Sequence, residues 1–339
     1  MSNGYGIDLG TYNLKIYSKA SENVTNVKNT IAIYDKGKIY AYGDDAYSMF
    51  EKAPETISVS FPIINGIISD FDNMQSILTN ILENDMKAHL KGSDIVIAVP
   101  TDITEVEKKA FNDIFRRKNS KIRLRSVSLC EKPLADALGM GLDITEPTGI
   151  MIVDLGADTT EISVISLGGL VLSSLLPFGG NKLDEDIVTH LKRKYNLLIG
   201  KKTAKDLKEN IGSTLKGRGE SMEVVGRDVV AGLPIPMNIT SDMVYEGMKE
   251  DLSSMCNSIK LILEKVPPEL AKDIVRSGIY LTGGSSKIHG ISKLFHDLTN
   301  IKMNVSEDGE NTVAIGLGKI LTEEKFRKFG YTMKSRVFE

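Results

Sequence analysis

Three glycine-bearing segments punctuate the chain at wide intervals: Gly6-Ile7-Asp8-Leu9-Gly10-Thr11-Tyr12-Asn13, Ile152-Val153-Asp154-Leu155-Gly156-Ala157-Asp158-Thr159-Thr160-Glu161, and Tyr280-Leu281-Thr282-Gly283-Gly284-Ser285-Ser286. In each of the first two, an apolar β-branched strand runs into an aspartate, a glycine turn and a threonine. Two such hairpins would present backbone N–H groups and hydroxyls to a polyphosphate, with an aspartate at each strand end to hold a hydrated metal ion. The third sets paired glycines after an apolar strand, where backbone lies flat against a base or ribose because no Cβ intervenes. A single turn of this kind is weak evidence. Two copies in separate halves, joined by a late Gly-Gly, predict a nucleotide site.

A chain of 339 residues with 41% hydrophobic content can bury a sizeable core and has room for two or three domains. Its 42 basic and 45 acidic residues are mixed and leave a net charge of −3, so no global basic field points to nucleic acid. Cys130 and Cys256 lie far apart without metal-ligand spacing, and nothing resembles a signal peptide or a long uncharged apolar span. The expectation is a reduced, cytoplasmic protein.

Apolar periodicity predicts short strands over Tyr5 to Tyr17 and around Ile31 to Tyr42, then a helix from Asp72 to Leu90 on Met74, Ile77, Leu78, Ile81 and Leu82. A strand from Asp94 to Val99 is closed by Pro100. Thr104 with Glu107 three residues on is a capping box that starts a helix through Ala110, Phe111 and Ile114. Leu124 to Leu129 reads as a strand, and Pro133 to Met140 opens a helix linking two halves. The second half repeats the scheme, with a hairpin-like pair from Gly149 to Leu175 and helices at Leu183 to Tyr195, Thr203 to Ile211 and Ser241 to Glu264.

These segments resemble the actin, heat-shock chaperone and sugar kinase superfamily, and within it the bacterial actin family MreB. Further matching stretches are Pro62 to Asp72, Val99 to Glu107, Glu146-Pro147-Thr148-Gly149, Thr160 to Gly169, Lys194 to Gly200, Pro267-Pro268-Glu269-Leu270-Ala271 and Val313 to Gly318, so the likeness spans nearly the whole chain. The resemblance implies an α/β, actin-like fold of two similar, ribonuclease H-like halves around a nucleotide cleft. It implies four subdomains: IA over 1–31, 76–147 and 314–339, IB over 32–75, IIA over 148–180 and 242–313, and IIB over 181–241. The implied cofactors are ATP and Mg2+.

Asp8 and Asp154 are the metal-side candidates, since an acid at a strand's carboxyl end can take Mg2+ through water; each could instead merely cap a turn. Thr11, Tyr12 and Asn13 would donate to phosphates. Lys15 departs from the apolar residue usual in the family and resembles actin's phosphate lysine; a solvated strand lysine is the alternative. By resemblance, Gly156, Thr159 and Thr160 line the phosphates, Gly180 lies near the cleft floor, and Gly283, Gly284, Ser285 and Ser286 match the adenosine motif. The family's Thr-Ala-Glu-x-Ile-Lys reads Thr203-Ala204-Lys205-Asp206-Leu207-Lys208, followed by Glu209. Lys208 is kept and Lys205 replaces the ribose-binding acid; either Asp206 compensates for it, or the stretch is an ordinary surface helix.

Two departures bear on turnover. In the family a Glu-Pro dipeptide opens the connecting helix and its glutamate orients or deprotonates the attacking water; here Lys132 precedes Pro133. A cation cannot act as base, although it can neutralise a γ-phosphate, and the side chain of Glu131, one position earlier, points elsewhere in an extended segment. The family's Gly-Gly-Gly-Thr-Thr becomes Gly156-Ala157-Asp158-Thr159-Thr160, and an unpaired Asp158 would repel nucleotide. Lys132 and Asp158 either pair, directly or through water, in place of the glutamate, or have drifted independently. Thr159 matches the threonine that helps hold the water. Slow hydrolysis is expected either way.

The resemblance also implies head-to-tail filaments, paired antiparallel in some relatives, and involvement in cell shape. Membrane signals are sparse, because Met1-Ser2-Asn3-Gly4 leads straight into a strand and Lys87-Ala88-His89-Leu90-Lys91-Gly92 offers only Leu90. At the C-terminus, Lys325, Arg327, Lys328, Lys334 and Arg336 interleave with Phe326, Phe329, Tyr331, Met333, Val337 and Phe338, a mixture that suits an anionic bilayer or a docked terminal helix. Phe326 and Phe329 are expected to dock. Rival readings are a nucleotide-locked scaffold co-assembling with active paralogues in shape or motility, and a small-molecule kinase, for which Asp102 and Asp136 have no supporting motif.

Overall fold

The computed structural model describes residues 3–34, 37–115 and 124–333. The chain divides into two compact units, Met1–Thr148 with Ile165–Leu175 and Glu310–Glu339, and Gly149–Val164 with Leu176–Gly309.

The first unit is built on a five-stranded sheet in the order Ser126–Glu131, Asp94–Val99, Gly4–Leu9, Asn13–Ser18, Asn23–Lys28. Gly4–Leu9 lies parallel to Asp94–Val99 and antiparallel to Asn13–Ser18, in a register that sets Asp8 opposite Lys15. Both Gly4–Leu9 and Asp94–Val99 are apolar nearly throughout because each is covered on two faces. Ile7, Leu14, Ile16, Ile95, Ile97 and Val99 form one core with Met74, Ile77, Leu78, Ile81, Leu82 and Phe111 from the helices. The helix Thr312–Thr322 presses flat on this sheet: a Cβ at Gly6 would meet Leu317 at 2.6 Å, and one at Gly318 the Tyr17 ring at 2.7 Å. It also touches the helix Lys132–Gly139, where a Cβ at Gly139 would lie 1.8 Å from the Thr312 carbonyl oxygen.

Local signals resolve as expected in most places. The Thr104 hydroxyl accepts from the Glu107 backbone N–H at 3.2 Å, and the Glu107 carboxylate accepts from the Thr104 N–H at 2.6 Å, so the capping box starts the helix Glu105–Asp113. The helix expected as far as Leu90 stops sooner. Phe71–Asn80 is α-helical, Ile81–Asp85 widens into a π turn, and Lys87 adopts φ 47°, which ends the run. Leu90 is buried in the core.

In the second unit, Ile150–Leu155, Ile279–Thr282 and Met303–Val305 run parallel, and Thr160–Ser166 flanks Ile150–Leu155 on the other side. The helix Gly180–Tyr195 packs against Lys201–Ile211 and Ser241–Lys265, and ends at Asn196 in the left-handed region, φ 54°. A three-stranded sheet joins Leu197–Leu198, Ser221–Asp228 and Pro234–Thr240. Among the described residues no helix is long and apolar enough to cross a membrane.

Candidate functional site

In the first unit the aspartate turn is held from behind. Gly10 is obligatory, since a Cβ there would lie 2.6 Å from the Asn13 carbonyl oxygen. The fully buried Asn29 donates its side-chain amide to the Gly10 carbonyl at 2.9 Å and its backbone N–H to the Tyr12 carbonyl at 3.0 Å. Lys28 donates to Asn13 Oδ1 at 2.9 Å and sits 4.3 Å from the centre of the Tyr12 ring, which in turn meets Tyr47 and Phe61. Tyr12 and the Asn13 side chain therefore brace the turn, with Thr11 at its tip.

Asp8, only 3% exposed, ends its strand beside this turn and pairs with Lys15 Nζ at 3.0 Å. Burial pushes its carboxyl up, but Lys15 and Lys132 together outweigh that and hold it below the usual carboxylate range. Lys132 is the half-buried first residue of the helix Lys132–Gly139, followed by Pro133 in the first turn, with the buried Glu131 at the N-cap position. A cation there adds to the positive end of the helix dipole, and Asp8 supplies the opposing charge.

The second unit carries the matching turn. Gly156 donates its N–H to the Thr159 carbonyl at 2.9 Å, and a Cβ on Gly156 would approach that oxygen to 2.8 Å. The start of the helix Gly180–Tyr195 is stitched to it: Gly180 N–H donates to Gly156 O at 3.0 Å, Asn181 N–H to Ala157 O at 2.7 Å, and Asn181 Nδ2 to Asp158 Oδ1 at 2.7 Å. Gly179 has no room for a Cβ, which would lie 2.7 Å from both the Gly156 and Ala157 oxygens. Thr160 Oγ1 donates to Phe178 O at 3.0 Å. The first N–H groups of this helix are thus engaged by the glycine turn, and the helix fixes the turn's position.

The late Gly-Gly segment closes on the same place. Ser285 Oγ donates to Gly156 O at 3.1 Å and Ser286 Oγ to Gly283 O at 2.7 Å, while Gly283 N–H donates to Gly309 O at 2.9 Å. Gly283 has φ 78°, and a Cβ on it would stand 2.3 Å from Asp154 Oδ1. A Cβ on Gly180 would strike Ser285 Oγ at 2.6 Å. Lys208 donates to Gly180 O at 2.7 Å and pairs with Asp184 at 2.7 Å, both side chains being buried. Burial raises the Asp184 carboxyl to about 6 despite Lys208, and burial lowers the Lys208 ammonium despite Asp184. Lys205 pairs with Glu209, and Asp206 and Glu209 are exposed, outside this buried group.

Sequence reasoning missed Asn29, Asn181 and Asp184. Asp184 has a local clue, four residues after Gly180 and so on the same helix face, but its partner comes from the next helix. Among the described residues no group of three or more His, Cys, Asp or Glu is arranged to hold a metal directly, so the implied Mg2+ would have to be held through water. Asp154 fits that role, buried at the carboxyl end of its strand beside backbone that a Cβ would obstruct. Asp8 does not fit it, because Lys15 already engages its carboxylate and Lys132 adds a second positive charge.

The chain superposes on the crystal structure of MreB 5 of Spiroplasma citri bound to AMPPNP with TM-score 0.90 and 32% identity, covering 97% of this chain and 98% of that one. The MamK double helical filament aligns with TM-score 0.76 at 20% identity, over 94% and 98% of the two chains, a likeness of fold alone. The fold is actin-like. The family model described as MreB/Mbl protein matches residues 2–328. The cell shape-determining protein Mbl of Bacillus cereus is 38% identical over 319 residues, 93% of this chain and 95% of its own. The cell shape-determining protein MreB of Escherichia coli K12 is 36% identical over 328 residues, 94% and 93% of the two. The chain belongs to the MreB/Mbl family.

Proposed function

We propose that this protein is a filament-forming bacterial actin that binds ATP through its two aspartate-glycine turns and hydrolyses it slowly, in the service of cell shape. The observation that carries the nucleotide reading is the second turn, where Gly156, Gly180 and Gly283 pack so closely, with the Ser285 hydroxyl among them, that none of the three has room for a Cβ. The N–H groups of Gly156, Gly180 and Asn181 are engaged in holding this turn, so it is the backbone of the turn at 157–159 that we propose for the phosphates, with flat glycine backbone for the nucleoside. The Spiroplasma citri relative was crystallised with AMPPNP and with ADP, which supports the same ligand class here. When bound, Mg2+ would neutralise phosphate charge, and Asp154 is the carboxylate that would hold its water shell.

Slow turnover follows from Lys132. With an ammonium where the family carries glutamate, the first residue of the helix cannot take the proton of an attacking water, and the carboxylate of Glu131 stands one position earlier, at the N-cap. Thr159 remains to help hold that water, whereas Asp158 is drawn to Asn181. Self-assembly head to tail is supported by membership of the family. Antiparallel pairing, co-assembly with paralogues and a weak contact of the C-terminal tail with anionic membrane belong to the same reading. Phosphate release from Mg-ATP, measured beside pelleting of the same samples, tests it. Polymer with little phosphate is expected. Polymer with rapid turnover would mean that Glu131, Asp158 or Thr159 has replaced the base, and absence of polymer would remove the filament reading. Lys132 also favours a second reading, a nucleotide-locked scaffold, for which polymer would form only beside an active paralogue.

A further inference from the structure

We propose that the hairpin Ser221–Asp228 with Pro234–Thr240 is a lipid-binding surface: its apolar turn enters the headgroup layer of an anionic bilayer, and Lys192, Arg193 and Arg227 bind the lipid phosphates. The surface lies within the second unit and depends neither on the nucleotide reading nor on the C-terminal tail.

The turn between the two strands reads Val229-Val230-Ala231-Gly232-Leu233, with no polar side chain, and all five residues are exposed, Val230 by 81% and Leu233 by 64%. Turns that face water are ordinarily polar, so an uninterrupted apolar run at a hairpin tip marks a surface built for a partner. The turn is ordered: Val230 and Ala231 donate their N–H groups to Asp228 Oδ1 at 2.7 and 3.0 Å, and Gly232 N–H donates to Asp228 O at 2.8 Å. Those bonds commit the acid nearest the tip to its own backbone and hold its carboxyl below the usual carboxylate range. Apolar surface continues along the hairpin, where exposed Val225 stands opposite exposed Pro236; Glu223 is the next acid, two positions further from the tip. Charge names the partner. Val229 N–H donates to Asn196 O at 2.9 Å, which ties the tip to the end of the helix Gly180–Tyr195, whose last turn exposes Lys192, Arg193 and Lys194. Arg227 is exposed on the hairpin itself, and among the described residues Lys192, Arg193 and Arg227 make no ion pair. An apolar tip beside unpaired cations matches the interface of an anionic bilayer, where apolar burial and phosphate attraction act together. Strand addition by another chain suits the hairpin less well, because Pro234 and Pro236 deprive its edge strand of N–H donors.

The test is flotation of the full chain with vesicles, which separates lipid binding from the pelleting of polymer. Vesicles of phosphatidylglycerol and phosphatidylcholine are compared with phosphatidylcholine alone. The wild type should float with the anionic vesicles only, and less as salt is raised. Val230→Asn with Leu233→Asn should weaken partitioning by about tenfold or more, and so should Lys192→Gln with Arg193→Gln, each with an unchanged melting curve by circular dichroism. The chain has no tryptophan, so Val230→Trp places a single reporter at the tip. Its emission should shift to the blue when anionic vesicles are added, whereas Val106→Trp, exposed on the helix Glu105–Asp113, should not respond. Absence of wild-type flotation, flotation unchanged in both double variants, or an equal shift from Val106→Trp would overturn the inference. Undiminished flotation with loss of polymer in Val230→Asn with Leu233→Asn would also overturn it, and would assign the hairpin to a contact between copies of the chain.

Discussion

Gly316 and Ala135 meet backbone against backbone: a Cβ at position 316 would lie 1.7 Å from the Ala135 carbonyl oxygen. The contact sets the helix Lys132–Gly139, and with it Glu131 and Lys132, at a fixed depth over the helix Thr312–Thr322. Because the obstructing atom is backbone, the pair of helices has to separate before any side chain fits. Gly316→Ala should cost about 3 kcal/mol or more, at the upper end of overpacking penalties, read as a lowered urea midpoint with unchanged slope.

Restoring the family's glutamate tests the account of turnover. Lys132→Glu should raise phosphate release by about tenfold or more if the water is otherwise well placed. The same change removes one of the cations that hold Asp8 below the usual carboxylate range, so the Asp8 carboxyl should titrate at higher pH in the variant, visible by carboxyl-selective NMR. A rate that stays flat while Asp8 shifts would assign the limit to Asp158 or to the domain geometry.

The Lys208–Asp184 pair makes a prediction about stability. Lys208→Met leaves a buried, uncompensated carboxylate and should cost about 3–5 kcal/mol near neutral pH. In the wild type, burial raises Asp184 above its ordinary value to about 6, so the folded state takes up a proton before the unfolded chain does. That contribution to stability is present in full below the unfolded value of 3.8 and is lost as pH rises through about 6. Asp184→Asn should remove this slope from the melting temperature between those limits.

Asn29 is expected to matter for ligand binding without touching the ligand. Its amide holds the Gly10 carbonyl and its N–H the Tyr12 carbonyl, so Asn29→Ala strips one hydrogen bond from a fully buried site. A stability loss of about 1–3 kcal/mol should accompany weaker ATP binding, whereas Asp206→Ala, on an exposed helix face, should alter stability by no more than about 0.5 kcal/mol.

At the C-terminus the expected docking of Phe326 and Phe329 is found, since both rings are buried and the Phe329 ring fills the space a Cβ on Gly168 would need. Lys325, Arg327 and Lys328 face outward. Tyr331 and Leu129 exchange two backbone hydrogen bonds at 2.8 and 2.9 Å. Lys334, Arg336, Val337 and Phe338 lie outside the described residues. Removing only 334–339 preserves the Tyr331 bridge and should reduce sedimentation with anionic vesicles; unchanged sedimentation would eliminate the tail as a membrane contact.

The elements and the turn chemistry are legible in residue order. Apolar β-branched runs ending in Asp8 and Asp154, the Thr104 and Glu107 capping box, and the glycines at 10, 156 and 283 all act within a few residues along the chain, so their meaning is legible from order alone. Tertiary structure decided what each charge does. Lys15 was readable as a phosphate lysine or a solvated one, and strand register made it the partner of Asp8. Asp158 was readable as a threat to nucleotide binding, and the start of the next helix gave it Asn181. Lys208 and Asp184 lie 24 positions apart and became a pair only through helix packing. The division has a physical cause: backbone propensity and turn geometry depend on near neighbours in sequence, whereas the charge state of a buried group depends on which distant side chains replace its lost water.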